Sequence, residues 1–360
     1  MSVTTNLRLR QSVGIVVQEN IVEFFNSNTR SSISLKMQFQ GIVELLENFD
    51  GVTSIQQIAE KYQGISIEQL TSLAQFLREK YILIQQDIAY PLDIVQHHYR
   101  LVNTLEDYFH SSHEVLKAIE KLKNATVMII GLGAVGSLIA SYLTKSGVKN
   151  FILVDADNVD ISNLHRQYYF ESDIGQEKGE KLKKQLEMMH SDLNVEIITE
   201  HLQQNFFERI KIAKPIDLII NCADQPNVDI TSRIIAEYAM KYKIPHIVGG
   251  GYNLHLTLIG QTIIPFETAC FKCFGNALNE LNNVELKNVR KLHRENRKLG
   301  SFSPLSGIAA SLASLDAFKV LIGKNELLQQ VNRRIEFNMV QHQLNIIDIP
   351  RNPNCEWCKV

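Results

Sequence analysis

Three glycines and one aspartate carry the clearest chemical signal in this chain. Gly131, Gly133 and Gly136 form the pattern GxGxxG, and Asp155 closes a later apolar run. The first glycine of such a pattern permits a tight turn, the second lets a phosphate approach the backbone, and the third brings a helix close to a strand. The helix N-terminus then offers N–H groups to an anion, and the acid suits ribose hydroxyls. These residues predict a nucleotide site, and the motif alone does not distinguish NAD from ATP.

Four cysteines form a second constellation. Cys270 and Cys273 make one CxxC pair, and Cys355 and Cys358 make another. Four thiolates form a closed tetrahedral zinc site, which is structural because no position remains open for water. The long gap between the pairs means that such a site would tie the C-terminal tail to the core. We therefore expect one structural Zn²⁺ ion rather than disulfides.

The elements that position the glycines can be predicted from the local pattern. The mostly apolar run Thr126–Ile130 predicts a buried strand, a helical pattern follows to Lys145, and residues 151–154 predict a second strand that ends on Asp155. Residues 125–143 are also long and apolar enough to span a bilayer, but the early glycines and the acid that follows argue against a membrane span. The order strand, glycine turn, helix, strand indicates a Rossmann-like α/β domain.

The first 88 residues predict a small winged-helix-like α+β domain. We expect a hairpin at residues 13–25 and a further strand at residues 33–39. Three amphipathic helices are expected at residues 41–48, 54–61 and 66–80, and a short terminal strand at residues 81–85. The third helix carries only Arg78 and Lys80 as cations, both near its end, which argues against a DNA-recognition face. Residues 89–124 are predicted to form a linker and a helix.

Composition limits the class of protein. At 360 residues the chain has room for one large and one small domain, and 45% hydrophobic with 21% charged residues is typical of a soluble protein. A net charge of -2 makes nucleic acid an unexpected partner. The first residues, MSVTTNLRLRQS, contain no apolar signal-peptide core, so we expect a cytoplasmic protein that does not bind membranes.

Two motifs after Asp155 resemble a known family. Residues 155–167, DADNVDISNLHRQ, and residues 173–186, DIGQEKGEKLKKQL, resemble the VDxDxVxxSNLxRQ and GxxK patterns of the ThiF/MoeB superfamily, the ubiquitin-activating-like adenylating enzymes. Residues 217–227 supply that family's further acid as Asp224. The resemblance covers roughly residues 95–360. It implies an ATP-dependent adenylating enzyme whose Rossmann-like ThiF domain occupies residues 125–360.

The resemblance also implies roles for single residues. Adenylation is attack by a carboxylate on the α-phosphorus of ATP, which requires in-line positioning and cations that neutralise developing charge. Arg166 and Lys178 would hold phosphate oxygens, and Asp224 would hold Mg²⁺. The other nucleotide-binding positions that it implies are Gly131, Gly133, Gly136, Asp155, Asp157, Asn163 and Gln167.

Further features of the family concern its dimer and its cysteines. In the family an arginine reaches ATP from the partner subunit. The usual RYSRQ pattern is here HHYRLV, in which Arg100 is the best match. Residues 303–323 resemble the helix at the family's dimer contact, so a homodimer is expected. Family members that pass their substrate to a thiol carry a cysteine after the first CxxC, but the predicted crossover loop 275–301 has none, and Cys222 is expected to be buried.

The N-terminal segment refines the expected function. It resembles the recognition domain of enzymes that modify ribosomally made peptides, in which a leader peptide adds as a strand to the small sheet. The whole chain then resembles antibiotic-forming enzymes of the microcin C type, whose product keeps AMP, or of the pantocin type, which cyclise glutamate. We expect ATP-dependent adenylation of a precursor-peptide carboxylate, followed by capture by a nucleophile of the substrate itself. Sulfur-carrier protein adenylylation and NAD-dependent oxidoreduction remain as alternatives.

Overall fold

The chain forms two compact units, Met1–Glu120 and Lys121–Val360. The computed structural model describes residues 2, 4–36, 41–212, 214–249, 256–282, 300–301 and 303–359. Most of the segment that we predicted as a linker belongs to the first unit. A buried acid explains this, because Glu106 accepts a hydrogen bond of 2.9 Å from the Tyr90 hydroxyl and pairs with Arg8.

The first unit contains two three-stranded antiparallel sheets. Its elements are β1 Asn6–Leu9, β2 Val13–Gln18, β3 Ile21–Asn26, β4 Ser32–Lys36, α1 Ile42–Glu47, β5 Asp50–Ser54, α2 Ile55–Lys61, α3 Ile67–Glu79, β6 Leu83–Gln85, α4 Leu92–Glu106 and α5 Ser112–Asn124, which continues into the second unit. The sheet orders are β5-β1-β6 and β2-β3-β4. The predicted hairpin and three helices are confirmed, whereas β1 and β5 were not predicted. Residues 37–39 of the expected third strand lie outside the described residues.

Local signals explain where the helices of the first unit begin. Ser54 and Ser66 each form a capping box with the glutamine three residues later, which satisfies two backbone donors at each helix start. Helix α3 then buries Leu70, Ala74 and Leu77 on one face. This spacing of three and four residues is the pattern from which the helix was predicted.

The second unit is built on a six-stranded sheet. Its elements are β7 Thr126–Ile130, α6 Ala134–Lys145, β8 Asn150–Val154, α7 Lys178–Met189, β9 Asn194–Ile198, α8 Phe206–Arg209, β10 Leu218–Asn221, α9 Val228–Tyr242, β11 His246–Ile247, β12 Leu256–Ile259, β13 Thr262–Ile263, α10 Phe271–Asn282, α11 Ser303–Ile322, β14 Arg333–Asn338 and β15 Gln343–Asp348. Strands β12, β14 and β15 form a separate antiparallel sheet.

The order of the large sheet is β13-β11-β10-β7-β8-β9, with only β13 antiparallel to its neighbour. All five residues of β7 are buried, as expected for a central parallel strand that is covered on both faces. The chain leaves β7 toward β8 and returns later to place β10 on the other side. In such doubly wound sheets a crevice opens beyond the carboxyl ends of the strands at this reversal. The predicted Rossmann-like α/β class is confirmed.

Helix α11 is long and apolar. Of the helices in the described ranges, it alone has the length and composition to cross a membrane, and 56% of its most apolar window is buried within the protein. It also buries Asp316, whose carboxylate accepts hydrogen bonds from the Thr262 hydroxyl at 3.1 Å and the Gln330 backbone at 2.9 Å. A buried, fully partnered acid and contact with α6 are typical of a core helix.

The expected crossover loop at 275–301 is only partly described. Its first part, through Asn282, belongs to helix α10, which begins at Phe271. Residues 283–299 lie outside the described residues. The loop prediction is therefore wrong for residues 275–282, where the chain continues as a helix beyond the first cysteine pair.

Candidate functional site

A cavity of about 990 Å³ opens at the carboxyl ends of the parallel strands. Residues that follow β7, β8, β9 and β10 line it, among them Gly131, Asp155, His201 and Asp224. Parallel strands bring their carboxyl ends to one edge, which gathers these distant positions into one crevice. The cavity therefore lies where the predicted nucleotide site was expected.

The backbone requires glycine at the first and third positions of the turn. Gly131 has φ +89°, and a Cβ atom there would lie 2.5 Å from the carbonyl carbon of Cys222. A Cβ atom on Gly136 would lie 1.9 Å from the Gly131 carbonyl oxygen. A Cβ atom on Gly133 would have its nearest neighbour, Gln167 Nε2, at 3.6 Å. A side chain at the second glycine would thus meet only an ordinary van der Waals contact, and this glycine lines the cavity that a phosphate would enter.

Helix α6 begins at this turn without a side-chain cap. Gly133 is its N-cap, and Gly133, Ala134 and Val135 all line the cavity. The first backbone N–H groups of a helix have no intrahelical acceptor and carry partial positive charge. The cavity therefore receives unpaired donors that suit an anion such as phosphate.

Asp155 is held by the backbone around it. Its Oδ2 accepts from the Leu132 N–H at 2.6 Å, and its Oδ1 accepts from the Asp157 N–H at 2.8 Å. Burial raises the pKa of this carboxyl above its ordinary value, while Lys178 and the two hydrogen bonds oppose the shift. Each oxygen keeps a second lone pair, so the acid can still accept from ribose hydroxyls.

Lys178 is a buried cation in an unfavourable helix position. It is the first residue of α7, where the helix dipole disfavours positive charge. It is 5% exposed, and its Nζ lies 2.8 Å from Asp157 Oδ2. A lysine at this position does not stabilise the helix. An anion bound in the adjoining cavity would explain why a lysine lies here.

Arg166, Asn163 and Gln167 line the same cavity. The Arg166 guanidinium donates from Nη1 to the Ser162 carbonyl at 3.0 Å and lies 3.5 Å from His165 Nε2. Gln167 is 9% exposed, and its Oε1 has no partner among the described residues. A buried acceptor without a donor fits a bound group that supplies one.

A buried network fixes the strand end that carries Asp224. Asn221 Oδ1 accepts from the Ala223 N–H at 3.0 Å, and Thr231 Oγ1 donates to the Ala223 carbonyl at 2.8 Å. Asn221 Nδ2 also donates to Thr231 Oγ1 at 3.1 Å. Asp224 itself is exposed and makes no hydrogen bond or ion pair with any residue in the described ranges. A positioned, unpaired carboxylate is a ligand that fits Mg²⁺.

Cys222 lines the cavity beside the glycine turn. Its side chain is half-buried, where we predicted a buried one. Burial raises the pKa of the Cys222 thiol to about 12. The group is therefore a protonated thiol near neutral pH and a poor nucleophile.

Several cavity residues were not found from the sequence, and three of them carry ionisable side chains next to predicted positions or strand ends. Glu200 and His201 follow β9, and His165 lies inside the SNLxRQ motif. The rule that loops after parallel strands share one edge would have indicated the first two. Arg100 lies on α4 in the first unit, where it is exposed, and it is not among the residues that line the cavity. Its action across a dimer stays a prediction.

The four predicted metal ligands come together. Their Sγ atoms all lie within 4.8 Å of one another, with separations of 3.8 Å for Cys270–Cys273, 3.6 Å for Cys270–Cys355 and 3.5 Å for Cys273–Cys358. A tetrahedral ion about 2.3 Å from each sulfur requires neighbouring sulfurs about 3.8 Å apart. All four side chains are buried, and none forms a disulfide. The cluster is therefore compatible with structural zinc.

Comparisons with known proteins agree with this geometry. The ThiF family model matches residues 111–357. Molybdopterin-synthase adenylyltransferase of Escherichia coli is 27% identical over 245 residues, which cover 66% of this chain and 89% of that protein. Ubiquitin-like modifier-activating enzyme 5 of Drosophila willistoni is 27% identical over 67% of this chain, and the match spans 59% of that protein's length.

A solved structure extends the likeness to both units. E. coli MccB, crystallised with selenomethionine MccA, has the same fold with a TM-score of 0.78, at 21% identity, over 98% of this chain and 99% of that chain. The family match, the glycine turn and the cavity at the strand ends lead to one conclusion. This chain belongs to the ThiF family and is an ATP-dependent adenylating enzyme.

Proposed function

We propose that this enzyme adenylates a carboxylate of a ribosomally made precursor peptide. One observation carries the proposal. The likeness to MccB covers 98% of this chain, whereas the match to the E. coli molybdopterin-synthase adenylyltransferase covers 66%. The first unit therefore has a counterpart in a microcin C7 biosynthetic enzyme that has been crystallised with the precursor peptide MccA and with ATP.

In this proposal the first unit, with residues 1–88 as its core, binds the leader of the peptide. Its β2-β3-β4 sheet has two edge strands, and an extended peptide can add to such an edge through backbone hydrogen bonds. Residues alternate between exposed and half-buried along β4, from Ser32 to Lys36. That alternation would let a peptide strand at this edge bury every second side chain against the sheet.

Adenylation would take place in the cavity of the second unit. A peptide carboxylate oxygen attacks the α-phosphorus of ATP, the bond to the β,γ-phosphates breaks, and pyrophosphate leaves. The N-terminus of α6 and the cations Arg166 and Lys178 would stabilise the negative charge on the phosphates. Asp155 would orient the ribose. Mg²⁺, held by Asp224, would neutralise phosphate charge when bound.

The acyl adenylate would then react with a nucleophile of the peptide itself, which breaks the bond between the carbonyl and the phosphate and releases AMP. A product that keeps AMP would therefore need a second ATP, from which AMP is transferred to the captured peptide while pyrophosphate leaves. Four of the five cysteines form the proposed zinc site, and the fifth, Cys222, keeps its proton near neutral pH. Holding both reacting groups in one cavity makes the capture effectively intramolecular. Retention of AMP would follow the microcin-like course, and cyclisation would follow the pantocin-like one. We propose that the enzyme acts as a cytoplasmic homodimer.

A second candidate is activation of a sulfur-carrier protein. The match to molybdopterin-synthase adenylyltransferase over 89% of that protein favours it. It gives no role to most of the first unit, since the ThiF family match begins at residue 111 and the first unit ends at residue 120. The relevant contrast is therefore between a short peptide and a folded carrier as substrate.

Exchange of labelled pyrophosphate into ATP tests the proposal. The enzyme would be mixed with ATP and with either a candidate precursor peptide, a sulfur-carrier protein ending in Gly-Gly, or no substrate. Exchange that depends on the peptide is expected, and Asp224→Asn should lose it. Exchange with the carrier protein alone would replace the peptide proposal by the second candidate.

A further inference from the structure

Tyr169 contacts the glycine turn at a residue that does not face the cavity. Its hydroxyl donates a hydrogen bond of 2.7 Å to the backbone carbonyl of Leu132. Leu132 is fully buried and does not line the cavity, whereas its neighbours Gly131 and Gly133 do. The hydrogen bond therefore contacts the glycine turn on the side that faces away from the cavity.

A second side chain holds the other backbone group of the same residue. The Leu132 N–H donates to Asp155 Oδ2 at 2.6 Å. Both polar backbone groups of Leu132 are thus paired with side chains rather than with a helix or a sheet. Two such bonds fix the peptide planes on either side of this residue.

The orientation of the next N–H follows from peptide geometry. In a planar trans peptide the carbonyl and the N–H point in opposite directions. Because Tyr169 holds the Leu132 carbonyl away from the cavity, the N–H of Gly133 points toward it. This N–H has no acceptor in the part of the chain that the structure describes.

We propose that Tyr169 is a positioning residue for adenylation. Its hydroxyl sets the orientation of the Leu132–Gly133 peptide and thereby directs the Gly133 N–H to a phosphate of ATP, which rests on the proposed binding of the phosphates at this turn. Tyr169 follows Arg166 by three residues. The segment from Arg166 to Tyr169 therefore supplies both a cation that lines the cavity and a hydrogen bond to the side of the turn that faces away from the cavity.

The surroundings of Tyr169 keep its hydroxyl a donor. The residue is 5% exposed, and burial, followed by the nearby Asp155 and Asp173 charges, raises its pKa well above the ordinary value. The phenol stays protonated at any working pH. Since water does not reach this bond, its loss would leave the Leu132 carbonyl buried without a donor.

Tyr169→Phe removes the hydroxyl and keeps the ring. Tyr142→Phe is the matched control, because Tyr142 lies on α6 and its hydroxyl bonds to no described residue. Calorimetry would give the dissociation constants of ATP and of adenosine for each protein. We expect Tyr169→Phe to weaken ATP binding about tenfold, the effect of one misdirected hydrogen bond, and to change adenosine binding less than about twofold. The control should change neither.

The contrast between the two ligands separates positioning from general loosening. Equal weakening of ATP and adenosine, or unchanged ATP binding, would overturn the proposal. So would a wild-type enzyme that binds ATP no more tightly than adenosine, because it would have no phosphate contact to lose. Pyrophosphate exchange that does not need a peptide would contradict the proposed peptide substrate. If the expected difference between ATP and adenosine were also observed, the role of Tyr169 would still stand. Melting temperatures within a few degrees of the wild type would show that the variants are folded.

Discussion

Arg166 and Lys178 are held in different ways, and this bears on their proposed roles. Arg166 is half-buried and donates to a backbone carbonyl, so its remaining donors are available to a phosphate. Lys178 is buried and paired with Asp157, whose side chain is 43% exposed. A phosphate bound near this pair would contact the Lys178 ammonium group, which is already desolvated and held in place. Such preorganised charge stabilises a transition state more than a mobile surface charge does.

Removing either cation should therefore impair catalysis more than folding. We expect Arg166→Ala and Lys178→Met each to lower kcat/KM about 10²- to 10³-fold in a pyrophosphate exchange assay. Lys181→Met is the control, since Lys181 lies on the same helix, pairs with Asp173 at 2.9 Å and does not line the cavity. It should stay within about threefold of the wild type. Near-normal rates for both cavity variants would show that the site is misplaced.

Cys222 should be dispensable although it lines the cavity. With its pKa raised to about 12, the Cys222 thiol is almost entirely protonated at pH 8, which disfavours rapid acyl capture. We expect Cys222→Ser to retain activity and alkylation of the wild-type thiol by iodoacetamide to stay slow below about pH 10. Intact-protein mass spectrometry would check for a thioester. A DTT-sensitive peptide adduct on Cys222 would contradict the assignment.

At the scale of elements, the site depends on how strand ends are fixed. Asn221 and Thr231 hold the N–H and the carbonyl of Ala223, and so attach the end of β10 to the first turn of α9. The same helix start carries a side-chain cap, because Asn227 accepts from the Ile230 N–H. Asp224 lies between these fixed points. Its carboxylate is therefore positioned by hydrogen bonds of the neighbouring backbone, since it has no partner of its own among the described residues.

Thr231→Val should disturb Asp224 without opening a cavity. The substitution removes the hydroxyl that binds the Ala223 carbonyl and nearly preserves the volume of the side chain. We expect a roughly tenfold loss of kcat/KM and a higher Mg²⁺ requirement, since a partly buried carbonyl loses its donor. Thr144→Val is the control, because Thr144 is buried and its hydroxyl bonds to no described residue. Equal effects of the two substitutions would contradict a special role for this network.

The cysteine cluster connects the start of α10 to the C-terminal tail. Elemental analysis should find one zinc ion per chain, and Cys358→Ser should lose it and melt at least several degrees lower, because metal binding stabilises the fold. Cys222→Ser should keep the zinc. A zinc-free wild-type protein with unchanged melting and four titratable thiols would end the zinc assignment.

The sequence predicted those parts of the molecule that depend on local rules. The GxGxxG turn, helix α6 and the capping serines of α2 and α3 each follow from neighbouring residues, and residue type alone grouped the four cysteines. Strands β1 and β5 were not predicted because their pairing joins residues that are distant in the sequence, such as Asn6 and Ser54, which are 48 positions apart. The hydrogen bond from Tyr169 to Leu132 is a tertiary contact that no local pattern indicates.

At the scale of the whole molecule, the two units are similar to different sets of proteins in the comparisons. The ThiF match begins at residue 111, near the end of the first unit, and the fold of MccB accounts for the remainder as well. A second unit that matches the ThiF family and a first unit that lies mostly outside that match would divide chemistry from substrate choice. The central claim of the proposed function is therefore that the substrate is a precursor peptide.

Mass spectrometry of a candidate precursor peptide after incubation with the enzyme, ATP and Mg²⁺ tests that claim most directly. The proposed function predicts a peptide that carries AMP, or one that has lost water or carbon dioxide, and Arg166→Ala should yield neither. An unchanged peptide, together with adenylation of a Gly-Gly carrier protein under the same conditions, would contradict it.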